Sequence, residues 1–162
     1  MTSERFKLAD FEPLIREVIE SGGEFTMKTH GISMKPMLSD GNDSVVLVSV
    51  PEEIKTGDVI FYKRDNGQYV LHRVVGKRKD GYVLRGDNQI INEYGVKKEA
   101  VIAIVKAYIK NSQRIETEDK EYRKYVSTLG VKYALKKAAS FVKRVKDKLC
   151  RVMSLSGKNN DK

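Results

Sequence analysis

A serine hydroxyl becomes a useful nucleophile only when a neighbouring base takes its proton. Near pH 7 that base is most often a neutral histidine. The sequence holds two histidines, His30 and His72, so the search for such a pair is short. His30 lies three residues before Ser33. If that stretch is extended, the two side chains fall on opposite faces about 10 Å apart, which leaves His30 badly placed to activate Ser33. His72 sits among apolar residues in Tyr69-Val70-Leu71-His72-Arg73-Val74-Val75-Gly76 and reads as a strand residue. A lone histidine in such a strand is by itself more often structural than catalytic.

The elements that must position these groups follow from periodicity. Residues 10–21 predict a helix, with Leu14, Ile15, Val18 and Ile19 on one face. Pro13 fits its first turn, and Gly22-Gly23 supplies a stop. From residue 24 to 110 the pattern changes to short runs rich in Val, Ile, Tyr and Phe, which predict strands at 24–29, 45–50, 58–63, 68–75, 82–85 and 101–109. Turn signals separate them: Ser39-Asp40-Gly41-Asn42, Thr56-Gly57-Asp58, Asp65-Asn66-Gly67 and Asp80-Gly81. Asp43 and Asp58 read as turn-holding residues. Closely spaced strands with no helical pattern between them indicate an antiparallel β domain, and Asp65-Asn66-Gly67 marks its clearest hairpin.

Helical spacing returns after residue 116, with Gly130 expected to part a short helix at 118–128 from a longer one at 131–153. In the second, Val131, Leu135, Ala138, Val142, Val145, Leu149 and Val152 recur at steps of four and three. Lys132, Lys136, Lys137, Lys143, Arg144, Lys146 and Arg151 fall mostly on the other side. The final residues, 154–162, read as a frayed polar end. Three regions result: an N-terminal helical segment at 1–23, a β domain at 24–112 and a basic helical tail at 113–162.

The net charge is +9 over 162 residues. Residues 1–120 carry 19 basic and 19 acidic side chains, so the excess belongs wholly to the remainder, with 12 basic and 3 acidic. An asymmetry of this kind points to an anionic partner for the tail and not for the body. An amphipathic basic helix suits an anionic membrane surface. No recognised nucleic-acid module accompanies it, which argues against nucleic acid. The first twenty residues lack a signal-peptide core, and no apolar run is long enough to span a bilayer. The chain is therefore expected to be cytoplasmic or peripherally membrane-associated. One cysteine, Cys150, excludes an internal disulfide, and no Cys/His cluster has zinc-ligand spacing. No cofactor is expected.

Four segments occur in a telling order: Gly31-Ile32-Ser33-Met34-Lys35-Pro36-Met37-Leu38, Lys55-Thr56-Gly57-Asp58-Val59-Ile60-Phe61-Tyr62-Lys63, Leu71-His72-Arg73-Val74-Val75-Gly76 and Leu84-Arg85-Gly86-Asp87-Asn88-Gln89. Over roughly residues 24–109 they resemble the serine peptidases of the signal peptidase I and LexA type. That resemblance implies a mainly β fold, a curled, barrel-like antiparallel sheet. It implies Ser33 as nucleophile and position 72 as the base. Bacterial signal peptidases and LexA carry lysine there, whereas histidine matches the endoplasmic-reticulum and archaeal signal peptidases. The implied function is a serine endopeptidase processing a peptide or precursor protein by a Ser-His mechanism. The alternative is a self-processing regulator or an inactive peptide- or membrane-binding module on the same fold. For the third, orienting carboxylate, Asp87 matches the Gly-Asp-Asn element and is favoured, with Glu93 as the alternative. Many signal peptidases carry a serine where this chain has Gly31. The oxyanion would then rest on backbone N–H groups, including that of Ser33.

Overall fold

A computed structural model of the chain describes residues 8–156. It divides into two compact units, Met1–Lys124 and Tyr125–Lys162. The polar end expected at 154–162 lies, from residue 157 on, outside the described residues.

The first unit opens with helix α1 (Leu8–Glu20). Ile15 and Ile19 are its buried residues, one turn apart on the face turned to the sheet. Leu14, expected on that face, is 46% exposed. Because the helix reaches back to Leu8, Pro13 stands inside it instead of in the first turn. Gly22 ends it in the left-handed region at φ 82°, and the Gly22 and Gly23 N–H groups turn back to the Ile19 and Val18 carbonyls.

Eight strands form one antiparallel sheet: β1 (Phe25–Lys28), β2 (Ser44–Val48), β3 (Val59–Lys63), β4 (Tyr69–Arg78), β5 (Gly81–Arg85), β6 (Glu93–Val96), β7 (Val101–Lys110) and β8 (Gln113–Glu116). Their order is β1-β2-β7-β3-β4-β5-β6, with β8 also paired to β7. The sheet is open, with β1 and β6 at its ends. β7 is the organising strand. One edge pairs with β2, while the other pairs with β3 through residues 101–104 and with β8 through 107–110. The mainly β, antiparallel fold expected from the sequence is present, and the sheet does not close into a barrel.

All six predicted strands exist, and two further strands were not foreseen. β8 carries the sheet past the boundary expected at residue 112. Its hairpin turns on Asn111 and Ser112, both at positive φ (49° and 63°). A two-residue turn of that handedness is normally flagged by Asn-Gly or Asp-Gly, and serine hides it. β6, Glu-Tyr-Gly-Val, is short and contains a glycine at φ 75°, so it lacks an alternating pattern.

β3 is buried on both faces, as expected for a central strand. Ile60 and Tyr62 join Ile54, Val74, Tyr82, Leu84, Val96 and Val101 in one core cluster. Phe61 points the other way and lines a cavity described below.

Helix α2 (Lys120–Ser156) is continuous, contrary to the expected break at Gly130. A glycine within a helix costs about 1 kcal/mol but does not by itself end it. The first turn of α2 belongs to the first unit, where Tyr122 is buried against Tyr108 and accepts a hydrogen bond from Arg73. In the second unit, Val131, Leu135, Phe141, Val142 and Val145 are exposed. Among the described residues, no helix is long and apolar enough to cross a membrane.

Candidate active site

The residues around Ser33 are turned, not extended. The Lys35 N–H reaches the Ile32 carbonyl and the Leu38 N–H reaches the Met34 carbonyl, forming a compact turn. Met34, Met37 and Leu38 are buried and fix this turn to the body. Ser33 itself is half-buried. The Ser33 carbonyl accepts a hydrogen bond from the Asn88 N–H at 2.8 Å, and the Asn88 side-chain amide donates to the Ile32 carbonyl at 3.2 Å. Ser33 is thus tied to the segment that follows β5.

His72 lies in β4 directly opposite Ile60 of β3. It is buried, with 2% of its surface exposed. His72 and Ser33 both line one cavity of about 830 Å³, whose wall also includes β1, Met34, Leu38, Phe61 and Leu71. His30 lines the same cavity. It is largely exposed, however, and its Nδ1 lies 3.6 Å from Asp40. Among the described residues no hydrogen bond joins the Ser33 hydroxyl to His72; such contacts commonly tighten only when substrate is bound.

The Nδ1 side of His72 is the occupied side. The Tyr62 hydroxyl lies 3.3 Å from it and donates to Glu93 Oε2 at 2.7 Å. Glu93 Oε2 is 3.7 Å from Nδ1, beyond direct hydrogen bonding. Arg64 Nε donates to both oxygens of Glu93, at 2.9 and 3.1 Å. Burial raises the Glu93 pKa, but the bonds from Arg64 and Tyr62 outweigh it and hold the carboxyl below its ordinary value. Burial pushes the Tyr62 phenol up, and its bond to Glu93 adds to this. Burial likewise pushes the His72 imidazole down to about 4; Glu93 opposes this and Arg64 adds to it. His72 is accordingly neutral at pH 7, the state a general base requires.

Asp87 is placed differently from the orienting role favoured for it. Its two carboxylate oxygens accept from Arg73 Nε and Nη2 at 2.8 and 2.7 Å, in a buried, two-pronged pair. Arg73 also donates to the Gly57 carbonyl and to the Tyr122 hydroxyl, each at 2.7 Å. Since Arg73 follows His72 in β4, this pair clamps the 86–88 segment to the strand that bears His72. Gly-Asp-Asn is then a mechanical unit: Gly86 lets Ser33 approach, Asp87 grips β4, and Asn88 holds the Ser33 turn. The carboxylate found on the Nδ1 side of His72 is that of Glu93, the alternative, with the Tyr62 hydroxyl between. Asp43 and Asp58 hold turns as expected, accepting from the Ser39 and Lys55 N–H groups.

The position of Gly31 leaves backbone donors for an oxyanion. The Gly31 N–H is already taken by Asp40 at 2.9 Å. The Ser33 N–H has no partner among the described residues.

A model of the Peptidase S24-like family matches residues 3–123, three-quarters of the chain and almost the whole of the first unit. The chain belongs to the Peptidase S24-like family. Among curated proteins and among solved structures, none matches it. Family membership accounts for the mainly antiparallel fold and gives the chain a serine-peptidase type of body. It assigns no substrate.

Sequence reasoning missed Tyr62, Arg64 and the Arg73–Asp87 clamp. One signal was available for Tyr62. The hairpin pairs Lys63 with Tyr69 and Ile60 with His72, so Tyr62 falls on the His72 face, one diagonal step away. Reading that register from the Asp-Asn-Gly turn would have brought the phenol to the imidazole.

Proposed function

We propose that the chain is a serine endopeptidase in which Ser33 is the nucleophile and His72 the general base. The carrying observation is that the two line one cavity while burial keeps the imidazole neutral. Ser33 Oγ attacks the carbonyl carbon of a bound peptide as His72 takes the hydroxyl proton. The oxyanion is met by the Ser33 N–H. The C–N bond then breaks, His72 returns the proton to the leaving amine, and water releases the acyl group by the same steps. Phe25, Met27, Met34, Leu38, Phe61 and Leu71 give the cavity an apolar wall, which suits an extended segment with apolar or small side chains, as in a signal-peptide-like precursor.

A serine-directed fluorophosphonate probe tests this reading. Native protein should be labelled, whereas Ser33→Ala and His72→Ala should not; equal labelling of all three would overturn it. Intact mass after incubation at mildly alkaline pH addresses self-processing. A defined internal cut that Ser33→Ala abolishes would make the chain its own substrate.

The basic helix supports a second component of the proposal, docking on an anionic lipid surface. Between residues 131 and 148 there are seven cations and one carboxylate, Asp147. At about 100° per residue, the exposed Val131, Leu135, Phe141, Val142 and Val145 share a stripe, with Lys132 and Lys146 on one flank and Lys137 and Lys148 on the other. Cations flanking an apolar stripe can keep their charge among lipid headgroups while the stripe enters the acyl boundary. Two copies packed through the same stripe would bring like charges together.

A further inference from the structure

We infer that Tyr62 is the positioning residue for His72, accepting the Nδ1–H on its phenolic oxygen while passing its own hydrogen to Glu93, so that Nε2 faces the cavity as a free lone pair. The inference deepens the Ser-His reading and rests on it for its functional meaning. Its structural content stands on donors and acceptors alone.

Arg64 stands at the outer end of the chain of contacts. Arg64 is a permanent cation with donors only. It grips both oxygens of Glu93, which favours the ionised carboxylate, a group with no hydrogen to give. The short 2.7 Å contact between Glu93 and Tyr62 therefore takes its hydrogen from the phenol. A phenol has a single hydrogen, so its oxygen can meet His72 only as an acceptor. The hydrogen in that contact must come from Nδ1. A neutral imidazole carries one N–H, and with Nδ1 protonated, Nε2 is the basic nitrogen.

The other side of the ring agrees. Among the described residues, no fully buried side-chain nitrogen or oxygen lacks a hydrogen-bond partner. Nε2 has none among the described residues, so it is not sealed, and we take its opening to be the cavity that His72 lines together with Ser33. The alternative tautomer would aim an N–H at the nucleophile and leave a lone pair against the phenolic oxygen, where two acceptors would meet.

Tyr62 also explains how a glutamate serves here. At 3.7 Å from Nδ1, Glu93 is too far to orient the ring directly, and the phenol spans the gap. The carboxylate remains near enough to stabilise the imidazolium that forms during attack. No net proton transfer through Tyr62 is required; its hydrogen stays on the phenol throughout.

The test is the tautomer of His72, read by two-bond ¹⁵N–¹H NMR correlation on the full chain at pH 7, with His30→Gln used to assign the two rings. We expect the Nδ1–H form in the native protein and in Ser33→Ala. In Tyr62→Phe the ring should shift to a majority of Nε2–H, and in Glu93→Gln to a mixture, because the phenol is then free to donate to Nδ1. An Nε2–H ring in the native protein, or an unchanged tautomer in Tyr62→Phe, would overturn the inference. Probe labelling on the same samples should fall by roughly 100-fold in Tyr62→Phe, in the range a misdirected base costs. A native protein with the Nδ1–H tautomer that fails to label would defeat the peptidase reading and leave the tautomer assignment standing. Thermal melts on each variant ensure that only folded protein is compared.

Discussion

Gly86 packs against the backbone of Ser33 so closely that a Cβ at position 86 would lie 2.6 Å from the Ser33 carbonyl oxygen and 3.0 Å from its Cβ. Both of those atoms belong to Ser33 itself, so the approach cannot be relieved by a flexible side chain swinging aside. Gly86→Ala should push the Ser33 turn away from the base. We expect a loss of probe labelling of at least 10-fold, with a destabilisation of about 1–3 kcal/mol as for other overpacked sites. Labelling kinetics beside a thermal melt check it. An alanine variant that labels at the native rate would mean that this contact does not position the serine.

The buried imidazole should leave its mark on stability as a function of pH. With a folded-state value near 4 against 6.5 in the unfolded chain, His72 binds more protons unfolded between those limits. Stability should therefore fall as pH drops from 6.5 toward 4, by on the order of 3 kcal/mol in all. The groups acting on the ring are Glu93 on β6, Arg64 after β3, Asp87 after β5 and the phenol of Tyr62. Glu12 and Glu24, held down near 2 by their hydrogen bonds to Tyr69 and Arg114 respectively, act mainly below pH 4.5. Urea denaturation across pH 4.5–7 should show the slope in native protein and a flatter profile in His72→Gln.

Asp87 and Glu93 should part company when each is removed. Asp87→Ala strands the Arg73 guanidinium in a buried site, and such losses cost about 3–5 kcal/mol. Glu93→Gln keeps the shape of its site at the edge of solvent and should cost nearer 1 kcal/mol. Labelling per folded molecule should follow the reverse order, with Glu93→Gln the more impaired. Chemical denaturation and active-site titration of the two variants decide between a carboxylate that holds the fold and one that serves the base.

The helix of the second unit should bind vesicles according to charge. Full-length protein should float with vesicles containing anionic lipid, lose binding in high salt, and ignore purely zwitterionic vesicles. The triple change Phe141→Ser, Val142→Ser, Val145→Ser should weaken flotation at least 10-fold without altering the melt of the first unit. Equal flotation of the triple variant would remove lipid docking through this stripe.

Much of the β framework was legible because its strands are short, β-branched and parted by strong turn residues. Ser33 and His72 stood out because reactive residue types are few and their flanking segments distinctive. What was hidden depended on distance in sequence or on unusual local chemistry. The Asn111-Ser112 turn uses a residue that rarely adopts positive φ, so β8 went unseen. Gly130 looked like a punctuation mark, yet a single glycine is too weak to halt a long helix. Asp87 carried a suggestive motif, but its partner is set by the β4–β5 pairing, which puts Arg73 opposite Arg85 and within reach of the segment beyond. Glu93 becomes relevant only because a phenol from another hairpin fills the space to the imidazole.

The hydrogen bond from Asn88 to Ser33 has a consequence for the timing of synthesis. The Ser33 turn is closed by a residue 55 positions downstream, and the clamp on that residue's neighbour ends at Tyr122. A nascent chain that has emerged only through β3 possesses Ser33 but neither His72 nor the brace that holds the Ser33 turn. On the proposed Ser-His reading, hydrolytic competence would arrive late, only once β4 and β5 had left the ribosome, and the growing polypeptide would be spared an armed serine beside its own unfolded segments.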